Sequence, residues 1–180
     1  AALGIPVYAS RLGRLADIAA TLRRFGALAG TGAAAGARAD AFEQALQNLR
    51  ERYSGRRELR VFYQIWHRPL LTVNERHLIS ESLRLCGARN VFGGLAPLTP
   101  SVDAEAVLAQ DPDAIVTGSV DPQGPDNLEL WRGFPGLRAT RRQALLTVDP
   151  DTLHRSSDRI VDGLRELCEK LDAVRVRRAP

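Results

Sequence analysis

Apolar positions along the chain alternate between strand spacing and helix spacing, and this alternation predicts the fold. Short apolar runs that predict buried strands are Arg60–Ile65, a run around Val91, Ala114–Thr117 and Ala144–Val148. Segments with helical spacing between and after them are Glu75–Cys86, Ala104–Gln110, Asn127–Arg132 and Ser157–Leu171. Strands that alternate with helices favour a parallel sheet flanked by helices on both faces, so we predict a Rossmann-like α/β fold.

The first third of the chain has a different pattern. It predicts a strand at Ile5–Tyr8, a helix at Arg14–Leu28 and a second helix at Arg38–Tyr53. The glycine-rich segment Gly30–Gly36 looks like a phosphate-binding loop, but it follows a helix where such a loop must follow a strand. We therefore interpret it as a helix terminator and turn. We expect the tail after Asp172 to be mobile.

Composition narrows the possible classes. The chain has 180 residues, of which 44% are hydrophobic and 26% charged, as in ordinary globular proteins. No apolar run reaches the roughly 18 residues that a membrane-spanning helix needs. The net charge is +4, but the arginines are scattered and Lys170 is the one lysine, so we expect no nucleic-acid partner. The chain lacks Met and opens at Ala1 close to a predicted strand, which suggests a processed or excised piece.

Motifs that carry chemistry are missing from the sequence. It has no nucleophile elbow, P-loop, CxxC pair or HExxH helix, so we predict no catalytic site. The three histidines, His67, His77 and His154, are too scattered to predict a metal site. Cys86 and Cys168 each lie late in a predicted amphipathic helix. They are either buried free thiols or a disulfide, and the sequence alone leaves both open.

Three loops follow predicted strands at the sheet edge where α/β proteins bind ligands. They are Trp66–Thr72, Leu95–Val102 and Val148–Ser156. In the first, Trp66 and Leu71 offer apolar surface, and His67 offers a polar group or a metal ligand. The second is stiffened by two prolines and presents Thr99. Each of these residues could instead have a purely structural role. Trp66 could be a half-buried aromatic, His67 a hydrogen-bonded loop residue and Asp151 a turn or capping group.

The segment Arg60–Val116, with VLAQDPDAIV inside it and HRSSDRIVDGLRELC near the end, carries a family resemblance. It resembles the C-terminal lobe of periplasmic substrate-binding proteins of the helical-backbone metal-receptor type (class III), and among them the cobalamin-binding receptors. The resemblance implies a remnant of the N-terminal lobe at 1–32, a connecting backbone helix at 33–57 and a C-terminal ligand-binding lobe at 58–180. An N-terminal lobe that is largely missing would leave an open strand edge, so we expect a homodimer or a domain swap.

The resemblance also implies a function. The chain would capture cobalamin or a related corrinoid in the periplasm and deliver it to the inner-membrane permease of an ABC importer, without catalysis or an intrinsic cofactor. Cys86 and Cys168 match a family disulfide, and Glu105 matches the acidic residue that docks the permease. Ligand-binding residues carried over from the family are Trp66, His67, Leu71, Thr99, Asp151 and Arg155. Leu71 and Thr99 stand where family members have aromatics, which predicts a less aromatic pocket wall.

Three alternatives remain open. The first is a haem or iron–siderophore receptor of the same family, with His67 as an axial ligand to haem. The second is a cytosolic α/β enzyme with an unrecognised site, which free thiols at Cys86 and Cys168 would favour. The third is a sensory or scaffold domain built on the same fold.

Overall fold

Four parallel strands form the central sheet. In the computed structural model of the protein, Ser10, residues 12–118 and residues 127–177 are described. The sheet strands are β1 (Leu59–Gln64), β4 (Ala88–Asn90), β5 (Ala114–Gly118) and β6 (Leu145–Val148), in the order β4-β1-β5-β6. A small antiparallel hairpin, β2 (Trp66–His67) and β3 (Leu70–Leu71), follows β1. The four predicted sheet strands are confirmed, whereas the strand predicted at Ile5–Tyr8 lies outside the described residues.

Eight helices accompany these strands in the described part of the chain. They are α1 (Leu15–Leu28), α2 (Gly32–Tyr53), α3 (Leu78–Leu85), α4 (Ala104–Gln110), α5 (Glu129–Arg132), α6 (Arg138–Arg141), α7 (Pro150–Leu153) and α8 (Ile160–Val176). Helices α6 and α7 were not predicted, because four residues are too few to show a helical period. None of the described helices is long and apolar enough to cross a membrane.

The helices cover both faces of the sheet, as predicted, and alternate residues of β1 point to the two faces. Val61 and Tyr63 join the larger hydrophobic cluster, which includes buried residues of α1, α2, α3 and α8. Phe62 joins a smaller cluster around Trp131, with residues of α4, α5 and α6. The rings of Phe62 and Trp131 meet edge to face, with centroids 5.6 Å apart. The fold is therefore a three-layer α/β/α arrangement.

Two predictions about the ends of helices were wrong. Gly30 has a φ of +71° and forms the turn after α1, but α2 already begins at Gly32. The alanines of this segment favour helix, and Ala35 lies so close to α1 that a Cβ on Gly26 would come within 2.2 Å of its methyl group. Residues 173–176 are not part of a mobile tail, because helix α8 continues to Val176. The last three residues of the predicted tail, 178–180, lie outside the described residues.

Arg175 explains why α8 continues. Its guanidinium donates to the carbonyl oxygens of Cys86 at 2.6 Å, Gly87 at 2.9 Å and Arg57 at 2.9 Å. These carbonyls lie just past the end of α3 and just before β1, so one side chain satisfies several acceptors and holds α8 against both elements.

Cys86 and Cys168 form a disulfide, as the family resemblance implied. Their Cα atoms are 4.8 Å apart, and 82 residues separate them along the chain. The bond joins the end of α3 to the middle of α8, and both cysteines are fully buried. It fastens the face of the sheet on which α1 and α2 also pack.

Removing this disulfide should lower the free energy of unfolding substantially. Closing a loop of this length removes unfolded-state entropy worth about 4–5 kcal/mol in the chain-entropy model. We expect a Cys86→Ala, Cys168→Ala double variant to lose about 2–5 kcal/mol in guanidinium unfolding under oxidising conditions. Adding a reductant should destabilise the wild type and leave the double variant unchanged. Equal stability of the two proteins would contradict the prediction.

Candidate functional site

The loops at the carboxyl edge of the sheet are bound to one another by backbone hydrogen bonds. The N–H of Thr72 donates to the carbonyl of Pro100 at 3.0 Å, and the N–H of Asn74 donates to the carbonyl of Leu98 at 3.0 Å. These bonds join the chain that follows the β2–β3 hairpin to the proline-containing loop before α4. The first two predicted loops therefore form one continuous surface.

Buried polar side chains hold these loops on the sheet. The Thr72 hydroxyl donates to the carbonyl of Tyr63 at 2.7 Å. The Asn74 amide donates to the carbonyl of Leu95 at 3.0 Å, and the Asn90 amide donates to that of Val73 at 2.6 Å. Thr72, Asn74 and Asn90 are each at most 9% exposed. Sequence analysis missed all three, although a polar residue inside an otherwise apolar run is the signal that could have found them.

Gln64 holds the neighbouring part of the same edge. It ends β1 and is 1% exposed. Its amide N–H donates to the carbonyl of Asn127 at 2.7 Å, and its amide oxygen accepts from the indole N–H of Trp131 at 2.7 Å. Both ends of the buried amide are thus satisfied, and the chain that enters α5 is fixed against β1.

A cavity of about 320 Å³ opens between the second and third loops, the start of α3 and the residues before α1. Leu12 and Gly13 line it just before α1, and Ile65 lines it just after β1. The other described residues that line it are Arg76, His77, Leu78, Ile79, Leu98, Leu153, His154 and Ser156. Its volume lies at the small end of ligand pockets, which run from about 300 to 1,000 Å³.

Two of the three histidines share this cavity, which corrects the description of them as scattered. His77 and His154 both line it, whereas His67 lines a second hollow beside Gln64 and Glu129. Within the described residues, no three His, Cys, Asp or Glu side chains are grouped so that they could hold a metal ion. The paired histidines form a polar wall of the cavity.

The His154 ring is held by a contact with a tyrosine and by the lack of a side chain at Gly118. Its Nε2 lies 2.7 Å from the hydroxyl of Tyr63, which is fully buried. A Cβ on Gly118, at the end of β5, would come within 2.6 Å of the ring, so only glycine leaves room for the imidazole there. Burial lowers the pKa of His154, although the nearby Asp149 carboxylate opposes that shift. Burial likewise raises the pKa of Tyr63.

His77 begins helix α3. It is the N-cap residue, and its Nδ1 accepts a hydrogen bond from the N–H of Ile79 at 3.1 Å. Because Nδ1 supplies a lone pair to that bond, the neutral ring carries its proton on Nε2. Burial lowers the pKa of His77, and His154 lowers it further. Both features favour a neutral imidazole with Nε2–H as its donor.

The structure brings Trp66, His67 and Leu71 together in the β2–β3 hairpin. Trp66 pairs with Leu71 across the hairpin. Its indole is 55% exposed and donates to the carbonyl of Arg68 at 2.9 Å. The rings of Trp66 and His67 lie 5.5 Å apart. The hairpin thus presents an exposed aromatic surface, as the first loop was predicted to do.

The other predicted site residues lie on the exposed parts of the second and third loops. Thr99 is exposed. Asp151 and Arg155 form an ion pair at 2.5 Å, with side chains 59% and 66% exposed. No described residue that lines the 320 Å³ cavity is one of the six predicted ligand residues, but several are their immediate neighbours. These neighbours are Ile65, Leu98, His154 and Ser156.

Glu105 lies in the first turn of α4 and is exposed. The N-cap of that helix is Asp103, whose carboxylate accepts from the N–H of Ala106 at 2.7 Å. Because Asp103 already provides the cap, the Glu105 carboxylate is not needed for it and points from a rigid helix toward solvent.

Comparison with known proteins gives similar proteins that are named for binding small ligands. The chain is 27% identical over 175 residues to the vitamin B12-binding protein of Vibrio parahaemolyticus, and it spans 63% of that protein's length. The structure matches that of the periplasmic vitamin B12-binding protein BtuF of Vibrio cholerae with a TM-score of 0.84 at 29% identity, over 98% of this chain and 68% of BtuF. It matches IsdE of S. aureus complexed with haem with a TM-score of 0.77 at 13% identity, over 93% of this chain and 69% of IsdE. No protein-family model matches the chain.

These comparisons confirm the resemblance to periplasmic substrate-binding proteins and the α/β fold of one of their lobes. The likeness to IsdE is a likeness of fold alone. The relatives that match in sequence are binding proteins by name, and the chain spans less than two thirds of the first of them.

Replacing Asn74 should loosen the loops that border the cavity. Its side chain bonds to the carbonyls of Leu95 and Ala96 and to the N–H of Arg76. We expect Asn74→Ala to cost about 1–3 kcal/mol in urea unfolding, because buried groups lose their partners. The exposed neighbour variant Glu75→Ala should stay within about 0.5 kcal/mol of the wild type. Equal losses of unfolding free energy in the two variants would show that the Asn74 hydrogen bonds do not stabilise these loops.

Stability should fall as the solution becomes mildly acidic. The folded protein lowers the pKa values of His77 and His154 below their usual value of 6.5, so the unfolded chain binds more protons in that range. The contribution of the two histidines to the free energy of unfolding is therefore fully present above pH 6.5. It is lost as the pH falls through their lower folded-state pKa values. Urea unfolding at a series of pH values should show this decline, and the double variant His77→Asn, His154→Gln should flatten it. An unchanged slope in that variant would contradict the assignment.

Proposed function

We propose that the chain is part of a periplasmic substrate-binding protein that captures cobalamin or a related corrinoid and delivers it to the permease of an ABC importer. The observation that carries this proposal is the match over almost the whole chain to the vitamin B12-binding protein BtuF in both sequence and fold. The position of the cavity supports it, because ligands of open α/β sheets bind at the carboxyl edge.

In this proposal the chain supplies one jaw of a ligand clamp. The hairpin with Trp66, His67 and Leu71 forms one side of the jaw. Thr99 and the ion pair of Asp151 and Arg155 form the exposed rim on the neighbouring loops. Trp66 supports this arrangement, since a large exposed aromatic beside a cavity is suited to a broad, flat ligand.

We further propose the division of the chain that the family resemblance implied. Residues 1–32 would belong to the N-terminal lobe, 33–57 to the connecting helix and 58–180 to the C-terminal lobe. The length of α2, 22 residues, suits a rigid connection, and α2 packs against α1, α3 and α8. A single helix between lobes would limit how far a clamp opens.

The proposed protein performs no chemistry and holds no cofactor of its own. Its relatives are named as binding proteins, and they are periplasmic where the name states a location. The disulfide supports an oxidising compartment such as the periplasm. It also weighs against the alternative of a cytosolic enzyme, which would keep its thiols reduced.

Calorimetric titration of cobalamin and haemin tests the proposal. Each ligand would be added to this chain and to a fusion that adds the portion of Vibrio cholerae BtuF lying outside the match. We expect saturable heat with cobalamin in the fusion and weaker or no heat in the chain alone. Binding of neither ligand by the fusion would refute the corrinoid assignment and direct the search to iron chelates.

A haem receptor is the second candidate, because the fold is also that of haem-complexed IsdE. His67 would then be the axial ligand, since it lies on the exposed hairpin beside Trp66. A Soret shift on adding haemin that disappears in His67→Gln would favour this candidate over the corrinoid receptor. An iron–siderophore receptor would show neither the Soret shift nor cobalamin heat.

A homodimer or domain swap stays a prediction. What supports it is the exposure of Leu28, 69%, at the end of α1. Sedimentation of this chain as a monomer at high concentration would exclude both.

Glu105 should affect docking on the permease and not ligand binding. An exposed charge at an interface mainly steers association. We expect Glu105→Arg to leave cobalamin affinity unchanged and to slow association with the reconstituted permease about tenfold or more at low salt. Glu51→Arg, a charge reversal at an exposed position of α2, is the matched control and should leave association near the wild-type rate. An equal effect of both variants would mean that net charge, and not Glu105, determines docking.

A further inference from the structure

The polar groups that line the 320 Å³ cavity are biased toward hydrogen-bond donors. Among the described residues that line it, Arg76 is the one that carries a full charge at neutral pH, and it is a cation. His77 and Ser156 add an N–H and a hydroxyl. None of these described lining residues has a carboxylate. A cavity of this kind suits an acceptor oxygen, and an anionic one most of all.

His77 can donate to a ligand but cannot readily coordinate a metal. Its Nδ1 lone pair is used by the N–H of Ile79, at 3.1 Å, which leaves Nε2 protonated. Coordination through Nε2 would require that proton to leave. Coordination through Nδ1 would break the cap that begins α3. The ring is therefore placed as a hydrogen-bond donor.

His154 leads to the same conclusion. Its Nε2 faces the buried hydroxyl of Tyr63 at 2.7 Å. A phenol is a stronger acid than a neutral imidazole and the imidazole nitrogen is the stronger acceptor, so Tyr63 donates and the Nε2 lone pair is occupied. Neither imidazole that lines the cavity thus has a free lone pair on Nε2 for a metal.

Arg76 lines the same cavity as His77 and has fixed partners of its own. Its guanidinium donates to the carbonyl of Ala96 at 2.5 Å, and its backbone N–H donates to the Asn74 side chain at 3.0 Å. One of its five N–H donors is used by Ala96, so others remain for a ligand. Apolar side chains of Ile65, Leu98 and Leu153 line the same cavity.

We propose that this cavity binds a side arm of the ligand that ends in a carboxylate or carboxamide oxygen, through His77 Nε2–H and Arg76. This rests on the proposed function and names the part of the ligand that the cavity recognises. A cavity of about 320 Å³ is too small for a corrin or porphyrin ring and large enough for an acetamide or propionate arm. The metal of the ligand stays outside it, toward the hairpin.

The first test separates the donor of His77 from its cap. Asn is as good an N-cap as any residue, so His77→Asn keeps the start of α3 and removes the imidazole donor. In the fusion described above, we expect His77→Asn to weaken cyanocobalamin binding about threefold to tenfold. Thermal unfolding should be close to wild type at pH 8. His77→Ala, which removes both donor and cap, should lose stability as well.

Charge and coordination are tested with two further ligand forms. Monocarboxylate derivatives of cobalamin, each with one side-arm amide hydrolysed, should include one that binds more tightly than the parent, and His77→Asn should weaken it by more than tenfold. Aquocobalamin should show no band shift that depends on His77. A cobalt–imidazole spectrum that disappears in His77→Asn would overturn the proposal. Equal affinities of the unsubstituted protein and His77→Asn for every form of cobalamin would overturn it as well.

A last experiment does not depend on which large ligand binds. Propionate titrated into the 180-residue chain should shift the amide N–H resonance of Ile79 and the ring resonances of His77 in a saturable way, and propionamide should do so more weakly. Propylammonium is the matched control and should not. If cobalamin fails to bind but propionate shifts these resonances, the corrinoid assignment is wrong and the cavity assignment stands. If propionate shifts none of them, the cavity assignment is wrong whatever cobalamin does.

Discussion

Backbone polar groups that leave the carboxyl edge of the sheet must find partners in a largely dry environment, and the whole candidate site depends on how they do so. Strand pairing cannot supply those partners, because the loops turn away from the sheet there. Buried side chains of Thr72, Asn74 and Asn90 supply them instead. An unpaired buried carbonyl or amide costs about 1–3 kcal/mol, so each of these side chains strongly favours one position of its loop.

The same constraint joins the cavity to the far side of the molecule through α3. His77 satisfies the first turn of that helix at the cavity, and Arg175 satisfies the carbonyls just past its end. The disulfide then fixes the end of α3 to α8. With both ends held, α3 cannot shift along its axis without breaking a cap or straining a covalent bond. These contacts therefore oppose movement of α3 relative to the sheet and α8.

The parts of the fold that repeat a period were predictable, and the parts that depend on single contacts were not. β1 and β5 contain the apolar runs Val61–Tyr63 and Ala114–Val116 because both faces of the sheet are covered, and such runs are visible in sequence. The start of α2 was missed, because glycines at 30–36 predict a turn when read locally. Only the close approach of Ala35 to Gly26 shows that the segment is needed as helix. The end of α8 was missed for a similar reason, since the partners of Arg175 lie about 90 residues away.

The candidate site likewise has one part that sequence could indicate and one part that it could not. The sequence places Trp66, Thr99 and Asp151 in loops at the carboxyl ends of strands, and the role of these residues in ligand binding stays a prediction. Two residues that line the cavity, His77 and His154, form what we call its floor, and their place there could not be predicted. His77 is recognisable only once its cap geometry is known, and His154 only once Gly118 and Tyr63 are seen to hold its ring. The resemblance to a family supplied the disulfide, which neither cysteine's position determined.

The exposed rim residues and the floor residues His77 and His154 are under different physical constraints. These constraints determine which substitutions could change the ligand that is bound. The rim residues are exposed or paired with each other, as in Asp151 with Arg155, so replacing them disturbs little else. The floor residues also cap a helix or anchor a buried phenol, so a replacement that loses the cap or the anchor alters the fold. The missing aromatics at Leu71 and Thr99 are changes of the rim. They alter the surface against which a ring would stack, but they leave the donors at the floor in place. In the proposed receptor, one macrocycle could replace another while the proposed contacts to the side arm remain, because those contacts would come from residues that the fold cannot easily change.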